Sequence, residues 1–547
     1  MDAGKHGHLS LPKGLALLAL LAISTCFLFW MAPNRDRNKT RTPPMLSDPV
    51  PYITNTYQYL ANMNKFLSRA TSALQNTNIF GFHLGPKTVF VITGAQNIQS
   101  LFRTSPNISF ESFFLMAMQT LWLAATDDLA KFRNDKSGRA ATPAAPGTAP
   151  EKRYWHGLHS LMHKYLEQKK HSDSLAQTYQ RFFTSRLVSQ FPVVGGEWTE
   201  VRIVRLMKSE MAYSAIASLL GTRILDTIPN LVDLVWDYDR VIVNLLYGAP
   251  RWLFPGAHAA QRRILSACTR YYQDASAEYD WDASEEEVDW EPLFGSRWGR
   301  EAARWMRECE FDDKTCGGLL GTTGMMGLNA STVPITGWLV MELVKDPDLF
   351  RVIRAEAETA YVATESGERI LDVQKVLTLP ILQSLYIEGL RVHVSFNISR
   401  EVVNQVEMEG YTLPAKSIIQ APTGISHLNE QVWGVEGHPA NEFWAYRNVR
   451  FVEQGDKKVP VFEMRGRPTD FFPYGGGIAI CPGRNFAKQE IMLTVAMLAS
   501  RFDMEFVRWE KMDGTRSDRE ARGDPKYAGA AGVPPDRDMR VRWKRLW

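Results

Sequence analysis

The chain has 547 residues, which is long enough for one very large domain or for several of ordinary size. Hydrophobic residues make up 45% of it, a share that supports a large buried core and excludes a chain that is disordered over most of its length. With 63 basic and 60 acidic side chains the formal net charge is +3, so we expect no nucleic acid partner.

The five cysteines are odd in number and form no C-x-x-C pair, which argues against a disulfide framework or a structural zinc site. Each of them is therefore either a small core residue or a reactive group. They are Cys26, Cys268, Cys309, Cys316 and Cys481.

The N-terminal region predicts a membrane anchor. Residues 14–32 carry no charge and would span about 28 Å as a helix, close to the thickness of a bilayer core. A cleaved secretory signal is the alternative, but the segment ends in Trp30 and Met31, which suit a retained helix at the membrane interface. Four basic residues between 35 and 41 place the rest of the chain in the cytosol, at the endoplasmic reticulum membrane.

The regions that follow predict a single large domain. A tail (1–13) precedes the anchor, and a proline-rich hinge (33–52) leads to a domain that covers 53–547. Because no repeat or composition break divides it, we predict a mainly α (α+β) fold with a small β-rich subdomain.

Within the domain, two β-rich runs at 79–93 begin a small sheet, and a helix is predicted over 95–102. The Ala/Pro/Gly-rich segment 135–150 is predicted to be a mobile surface insertion. Residues 155–274 are mostly helical, with a break at 248–258 whose aromatic and apolar residues fit either a membrane contact or an ordinary buried loop.

Further along, long helices are predicted over 317–345, ending before Asp346-Pro347, and over 483–501. The C-terminal segments 502–510 and 539–547 are predicted to be strands that pair across a long loop.

The glycine-rich stretch 471–487, FFPYGGGIAICPGRNFA, holds one of the few cysteines at the start of a helix. A phosphate-binding loop is disfavoured because no Lys-Ser/Thr pair follows. A buried structural cysteine remains possible, as does a nucleophile or metal ligand whose thiolate is stabilised by the helix N-terminus.

Residues 474–483 resemble the haem-binding signature F-x-x-G-x-[R/H]-x-C-x-G of the cytochrome P-450 superfamily. The resemblance implies a cytochrome P-450 fold and makes Cys481 the thiolate ligand of the haem iron. It also places Tyr474, Gly477 and Gly483 in the cofactor site. Tyr474 stands where the family has Phe, and Ala479 replaces the Arg or His that pairs with a haem propionate.

Upstream, Glu388 and Arg391 match the family's E-x-x-R motif, which locks the core behind the haem with an arginine from a later segment. That arginine is Arg447 or Arg450. Arg400 lies where the family often places a propionate-binding arginine, so it is a candidate to supply the charge that Ala479 lacks.

The oxygen-activating helix of the family reads [AG]-G-x-[DE]-T-T, and residues 327–332 align with it. Ala330 occupies the acid position, so Ser331, Asn329 and Thr332 are the candidate catalytic residues for proton delivery, with helix packing as the alternative role. The substitution, with Pro334 close by, resembles the branch that holds sterol 7α-hydroxylases and prostacyclin synthase.

His156, His159 and His163 share one face of a predicted helix, but no further ligand completes a zinc site. Trp155 and His159 weakly resemble the family's W-x-x-x-R motif, in which the arginine contacts a propionate. Lys152, Arg153 and Lys164 make this helix basic, which suits either docking of an acidic reductase or a solvated face.

The resemblance implies a membrane-anchored haem-thiolate monooxygenase that takes electrons from NADPH-cytochrome reductase and inserts oxygen from O2 into a lipophilic substrate. The residues of the signature resemble those of fungal members that oxidise terpenoids, sterols or polyketides in secondary metabolism. Two alternatives remain: a haem-thiolate isomerase or dehydratase of an oxygenated lipid, which needs no reductase, and a non-catalytic haem-binding sensor.

Overall fold

The computed structural model describes residues 41–74, 77–103, 105–282, 288–365, 367–527 and 529–547. The predicted anchor at 14–32, the tail before it and Cys26 lie outside these ranges. Within them, no helix combines the length and the apolar character needed to cross a bilayer.

Helices form most of the described chain. In chain order they are α1 (Thr54–Ala61), α2 (Met63–Ala73), α3 (Ala95–Phe102), α4 (Glu111–Ala117), α5 (Thr126–Asn134), α6 (Tyr154–Met162), α7 (Lys169–Gln190), α8 (Ile203–Leu206), α9 (Ala212–Leu220), α10 (Arg223–Thr227), α11 (Leu231–Leu246), α12 (Pro255–Glu278), α13 (Arg297–Glu308), α14 (Asp313–Gly318), α15 (Gly327–Lys345), α16 (Pro347–Glu358), α17 (Val373–Val376), α18 (Pro380–His393), α19 (Thr423–His427), α20 (Glu430–Trp433) and α21 (Arg484–Arg501).

The strands are short and lie mostly in the N-terminal part and in the second half. They are β1 (Ile79–Leu84), β2 (Lys87–Ile92), β3 (Ile108–Ser109), β4 (Thr199–Arg202), β5 (Trp290–Glu291), β6 (Gly295–Ser296), β7 (Tyr361–Ala363), β8 (Arg369–Leu371), β9 (Val394–Val402), β10 (Val406–Met408), β11 (Tyr411–Leu413), β12 (Ile418–Pro422), β13 (Val449–Gln454), β14 (Lys457–Phe462), β15 (Phe502–Lys511), β16 (Ala530–Gly532) and β17 (Arg537–Arg545).

The largest sheet has the order β1-β2-β12-β9-β16, with β3 also paired to β9. Its pairs are antiparallel except β2 with β12, which run parallel. A second sheet has the order β15-β17-β4. The predicted small sheet at 79–93 and the predicted pairing of the two C-terminal strands are therefore confirmed.

The core is built around α15 and α21, which pack against each other. Helix α21 is buried from Gln489 to its end, and α15 is buried over most of its length. Helices that are apolar on all sides belong in the interior of a large protein. The predicted helix at 317–345 is confirmed, but its part from Leu319 to Met326 is a π-helix.

The segment 135–150 corrects one prediction, because it is not simply a surface insertion. Asp135 and Ser137 are buried, and the Asp135 carboxylate accepts the backbone N–H of Trp155 at 2.9 Å. The guanidinium of Arg153 donates to the carbonyl oxygen of Ala141 at 2.9 Å. These contacts fold the first half of the segment onto the start of α6.

Candidate functional site

An interior cavity of about 290 Å³ lies between α15, α21 and the glycine-rich turn. Most of its lining is apolar, from residues such as Leu328, Ile335, Leu390 and Phe396. Five of the predicted site residues also line it: Ser331, Thr332, Tyr474, Cys481 and Gly483. We call this space the cysteine cavity.

The turn that carries Cys481 is held in place by its own backbone. The N–H of Cys481 donates to the carbonyl oxygen of Tyr474 at 2.9 Å, which closes the loop just before α21. Gly477 has a positive φ of 65°, and a Cβ there would meet the backbone oxygen of Phe102 at 2.2 Å. Only glycine fits this position, so Gly477 seats the turn against α3 and does not line the cysteine cavity.

Cys481 lies deep in the protein, yet its side chain is accessible because it faces the cavity. Burial raises the pKa of its thiol, whereas the backbone N–H groups of Gly483 and Arg484 and the charge on Arg484 favour the thiolate. Of the cysteines in the described ranges, Cys268 and Cys316 are buried and Cys309 is partly exposed, and none of these three lines the cysteine cavity.

Tyr474, which replaces the family's Phe, makes a hydrogen bond that Phe cannot make. Its hydroxyl lies 2.8 Å from the hydroxyl of Tyr386 in α18. Burial raises the pKa of both phenols, so both stay protonated at neutral pH. The substitution thus ties the turn to α18.

The three candidate catalytic residues of α15 differ in position. Ser331 and Thr332 line the cysteine cavity, and the Ser331 hydroxyl accepts the backbone N–H of Gly532 at 3.3 Å. The Thr332 hydroxyl donates to the carbonyl oxygen of Leu328 at 2.8 Å. Asn329 is fully buried and outside the lining; its amide donates to the Met325 carbonyl at 2.9 Å, whereas its Oδ1 has no partner in the described chain.

The sequence analysis missed Glu490 in α21. This carboxyl group is fully buried and lines the cysteine cavity, and neither of its oxygens has a hydrogen-bond partner among the described residues. Burial raises its pKa well above the usual range, and the nearby Thr332 hydroxyl only partly opposes this. The signal in the sequence was a glutamate that directly precedes ten uncharged residues of a predicted helix.

The E-x-x-R pair forms a fully buried network. The guanidinium of Arg391 donates to the two carboxylate oxygens of Glu388 at 2.7 and 2.9 Å, and Arg447 donates to Oε2 at 3.0 Å. All three side chains are 0% exposed. The choice that the sequence left open is thus resolved: Arg447 completes the network, and Arg450 pairs with Glu463 at the surface.

Neither Glu388 nor Arg391 lines the cysteine cavity. Arg391 instead donates to the backbone carbonyls of His427 and Glu442, at 3.1 and 2.9 Å. The pair therefore braces α18 against the segment around 427–447 and does not contact the cavity itself.

A second cavity, of about 540 Å³, borders the same turn. The turn contributes Gly476, Ile478 and Ala479 to it, and Arg400 and Arg139 also line it. We call this space the arginine cavity. Arg400 is buried, as its predicted role requires, and donates to the carbonyl oxygen of its neighbour Ser399 at 2.9 Å.

The predicted histidine face of α6 does not form a metal cluster within the described ranges. His159 and His163 stack with ring centroids 4.1 Å apart, and His163 hydrogen-bonds to Glu167. Burial and the charges of His163 and Arg139 lower the pKa of His159 to about 4, so it is neutral at physiological pH.

These features fit a haem. The cysteine cavity offers an accessible sulfur in apolar surroundings, and the arginine cavity offers two cationic side chains beside the same turn. A large planar cofactor with two carboxylates needs both kinds of surface.

Comparisons with known proteins agree with this geometry. The family model described as Cytochrome P450 matches residues 311–517. The chain is 41% identical over 540 residues to cytochrome P450 monooxygenase calL of Penicillium decumbens, covering 98% of this chain and 97% of that one. It is 22% identical to cholesterol 7-alpha-monooxygenase of Cricetulus griseus, covering 97% and 99%.

Among solved structures, retinoic acid-bound cyanobacterial CYP120A1 has the same fold, with a TM-score of 0.62 at 17% identity. The alignment covers 93% of this chain and all of that one.

The fold and the site define a haem-thiolate enzyme. The chain belongs to the cytochrome P450 family, whose members are monooxygenases that bind haem through a cysteine thiolate.

Proposed function

We propose that this monooxygenase is bound to the endoplasmic reticulum membrane, takes electrons from NADPH-cytochrome reductase and oxidises a lipophilic secondary metabolite. The observation that carries the substrate class is the cysteine cavity, whose apolar lining has few polar groups. Its fungal relatives include monooxygenases of Penicillium decumbens and Humicola fuscoatra. Terpenoid, sterol-like and polyketide compounds have the apolar character that such a lining favours.

In this proposal each cavity residue has a limited task. Bound haem supplies activation of dioxygen and transfer of one oxygen atom, and its cysteine ligand favours O–O cleavage. Cys481 holds the iron. Ser331 and Thr332 present hydroxyl groups to the cavity and Glu490 presents a protonated carboxyl, so three proton-bearing groups stand near Ala330, where the acid is missing.

The apolar residues of the cavity orient the substrate and exclude water. Leu219, Leu328, Ile335 and Phe396 contribute to this surface. Exclusion of water would limit the unproductive release of oxygen as water or peroxide from bound haem, because that release needs additional protons.

Membrane binding is supported by a described surface as well as by the predicted anchor. The break predicted at 248–258 carries Trp252, Leu253 and Phe254, which are 81%, 56% and 37% exposed. The nearby Tyr247 interacts with Tyr59 of α1. It thereby brings this loop towards a second group of exposed apolar side chains, Val50, Tyr52, Ile53, Tyr57 and Leu60. Such a combined patch suits a lipid interface.

The reductase is expected on the basic side of α6. Lys152 and Lys164 are exposed there, as docking requires. Arg153 is not available, because its guanidinium is engaged with backbone carbonyls of the 135–150 segment. The association rate of an acidic partner would then fall as the salt concentration rises.

Incubation with reductase, NADPH and ¹⁸O2 tests the oxidation. We expect substrate-dependent NADPH consumption and product that carries one labelled oxygen atom. Conversion of substrate without NADPH would instead support the isomerase or dehydratase alternative, and haem binding without any conversion would support the sensor.

Alkaline extraction of membranes tests the location. The full chain should stay in the membrane pellet, whereas a chain that begins at residue 41 should be partly released. Release should become complete when Trp252→Asp and Leu253→Asp are added, because the exposed patch then loses its apolar contact. Full release of the unmodified chain would contradict the anchor.

A further inference from the structure

The arginine cavity contains two guanidinium groups that face the same aromatic ring; Arg400 is buried and Arg139 is partly buried. The guanidinium carbon of Arg139 lies 4.9 Å from the centroid of Phe110, and that of Arg400 lies 5.1 Å from it. The two charges are therefore no more than about 10 Å apart. Arg139 also faces Trp155 at 5.3 Å, which fixes it over α6.

These two cations lack a matching carboxylate. Neither forms an ion pair within 4.0 Å in the described part of the chain, and the guanidinium of Arg139 makes no hydrogen bond there. Burial lowers the pKa of each to about 10; Glu111 partly offsets this for Arg139, and the charge of Arg139 adds to it for Arg400. Two like charges held this close without a counterion are costly unless an anion joins them.

Asp135, an acidic residue in the lining of this cavity, is already hydrogen-bonded to the backbone. Asp135 accepts the backbone N–H groups of Ser137 and Trp155 at 2.8 and 2.9 Å. Glu111 lines the cavity as well and interacts with the charge of Arg139, but basic side chains outnumber acidic ones in the lining, which holds Arg103, Arg133, Lys136, Arg139 and Arg400 against Glu111 and Asp135. The cavity thus keeps an excess of positive charge for a ligand.

The turn that carries Cys481 connects the two cavities. Pro473, Tyr474 and Cys481 line the cysteine cavity, whereas Gly476 and Ala479 line the arginine cavity. Strand β9 also reaches both, because Phe396 lines the first and Arg400 lines the second, on the same face of the strand. A planar group bound at Cys481 can therefore extend carboxylates to the arginines.

We propose that Arg139, together with Arg400, binds the haem propionates and replaces the cations that this chain lacks at Ala479 and His159. Ala479 lines the same cavity and has no charge. His159 is near Arg139 but is neutral at physiological pH. The inference rests on the haem site described above and assigns a residue within it.

The test compares haem retention in the purified holoenzyme. For Arg139→Gln we expect haem transfer to excess apomyoglobin to be about tenfold to a hundredfold faster, the range for loss of a charge-assisted hydrogen bond. The midpoint potential should also become more negative, because a cation near the oxidised iron is removed. Arg351→Gln is the matched control, because the Arg351 side chain is 74% exposed on α16 and lines neither cavity, and this variant should behave as the unmodified protein does.

A second variant separates charge from packing. Because Arg139 stacks on Trp155, its loss could act through the fold; adding Ala479→Arg to Arg139→Gln restores a cation to the same cavity without restoring that stacking. We expect slow haem loss and a higher midpoint potential to return. Fast loss in the double variant, or unchanged loss in Arg139→Gln, would overturn the assignment.

A result that overturns the assignment of Arg139 can be distinguished from failure of the proposed function. If the unmodified protein binds haem but shows no NADPH-dependent oxidation, the comparison of haem loss still decides the role of Arg139. If the unmodified protein bound no haem, both the cofactor and this assignment would fall together.

Discussion

Cys481 combines two properties that the other described cysteines do not share. It is accessible to the cysteine cavity, and backbone N–H groups at the start of α21 favour its thiolate. The position follows from a turn that only glycine can form at residue 477. The function of the site thus depends on the conformation of this turn as much as on the sulfur atom of Cys481.

Replacing Cys481 by Ala or His should abolish the thiolate-type, red-shifted Soret band of the reduced carbon monoxide complex, because no sulfur then donates to the iron. Absorption spectroscopy of the purified variant measures this. Cys309→Ser, outside the cysteine cavity, should keep the band. Survival of the band in Cys481→Ala would show that another residue binds the iron.

Glu388 forms ion pairs with two buried arginines. Glu388→Gln leaves Arg391 and Arg447 without a counter-charge, and loss of one partner of a buried ion pair costs about 3–5 kcal/mol. We expect a comparable fall in the free energy of unfolding, measured by chemical denaturation with circular dichroism.

Arg450→Gln is the control for this variant, since the Arg450 side chain is 64% exposed and its ion pair with Glu463 lies at the surface. Such pairs contribute about 0–1 kcal/mol. Equal losses in the two variants would contradict the central position of Glu388.

The burial of Asp239 predicts that the free energy of unfolding depends on pH. Burial raises its pKa to about 6, opposed by Lys208 and by the Tyr527 hydroxyl, from an ordinary value of 3.8. Between these two values the folded state binds more protons than the unfolded state, so stability falls as pH rises. Relative to Asp239→Asn, the unmodified protein should lose roughly 3 kcal/mol between pH 4 and 7.

Denaturation of both proteins at a series of pH values measures this difference. A constant difference across the range, or a loss of stability of the unmodified protein relative to Asp239→Asn as pH falls, would show that Asp239 is not held protonated by burial.

Helix α15 is preceded by a π-helix segment and contains a proline, Pro334. Pro334 has no N–H to donate, so the carbonyl of Ala330 loses its usual partner within the helix. This disruption falls beside Ser331, whose hydroxyl accepts an N–H from β16. The helix is therefore irregular where its hydroxyl groups face the cavity, a position at which π-segments are frequently functional.

Ser331→Ala should reduce the ratio of product formed to NADPH consumed by about threefold or more, because one proton-bearing group is lost from the cavity. Parallel measurement of NADPH oxidation and product gives this ratio. Thr336→Ala is the control, since that hydroxyl donates to the Thr332 carbonyl at 2.8 Å and lies outside the cavity. An unchanged ratio in Ser331→Ala would exclude a proton role.

Strand β16 lines the cysteine cavity through Ala531, and its Gly532 packs against Ser331 of α15. A Cβ at Gly532 would lie 2.9 Å from the Cα of Ser331, so Gly532→Ala should push the strand away. We expect a lower haem content and a melting temperature reduced by several degrees.

Gly337→Ala tests whether this effect is specific. It adds the same methyl group to α15, but nothing lies within 4 Å of that Cβ, and alanine favours a helix by about 0.5–1 kcal/mol. Its haem content should be unchanged. A normal haem content in Gly532→Ala would show that close packing of the strand against α15 is not required for haem binding.

Local patterns in the sequence predicted the parts of the site that depend on neighbours along the chain. The turn around Cys481 and the pair Glu388 and Arg391 are of this kind. The choice between Arg447 and Arg450 needed the structure, because both are close in sequence and only burial distinguishes them.

Two residues of the site, Arg139 and Glu490, could not be recognised from the sequence, for physical reasons. Arg139 lies in a segment whose Ala, Pro and Gly content is typical of an exposed loop, and only its contacts with Phe110 and Trp155 bring it inside. Glu490 looked like an ordinary helix charge, since a helix that is buried on all sides has no amphipathic pattern to reveal a misplaced polar residue.

The contribution of β16 to the cavity lining also bears on biosynthesis. Ala531, which lines the cysteine cavity, comes from the end of a 547-residue chain, whereas Met162 on the opposite part of the lining comes from its first third. Such long-range contacts form late, after most of the chain has been made. The cysteine cavity is therefore complete only once the chain has been made as far as β16, and we expect haem to be held firmly only from that point on.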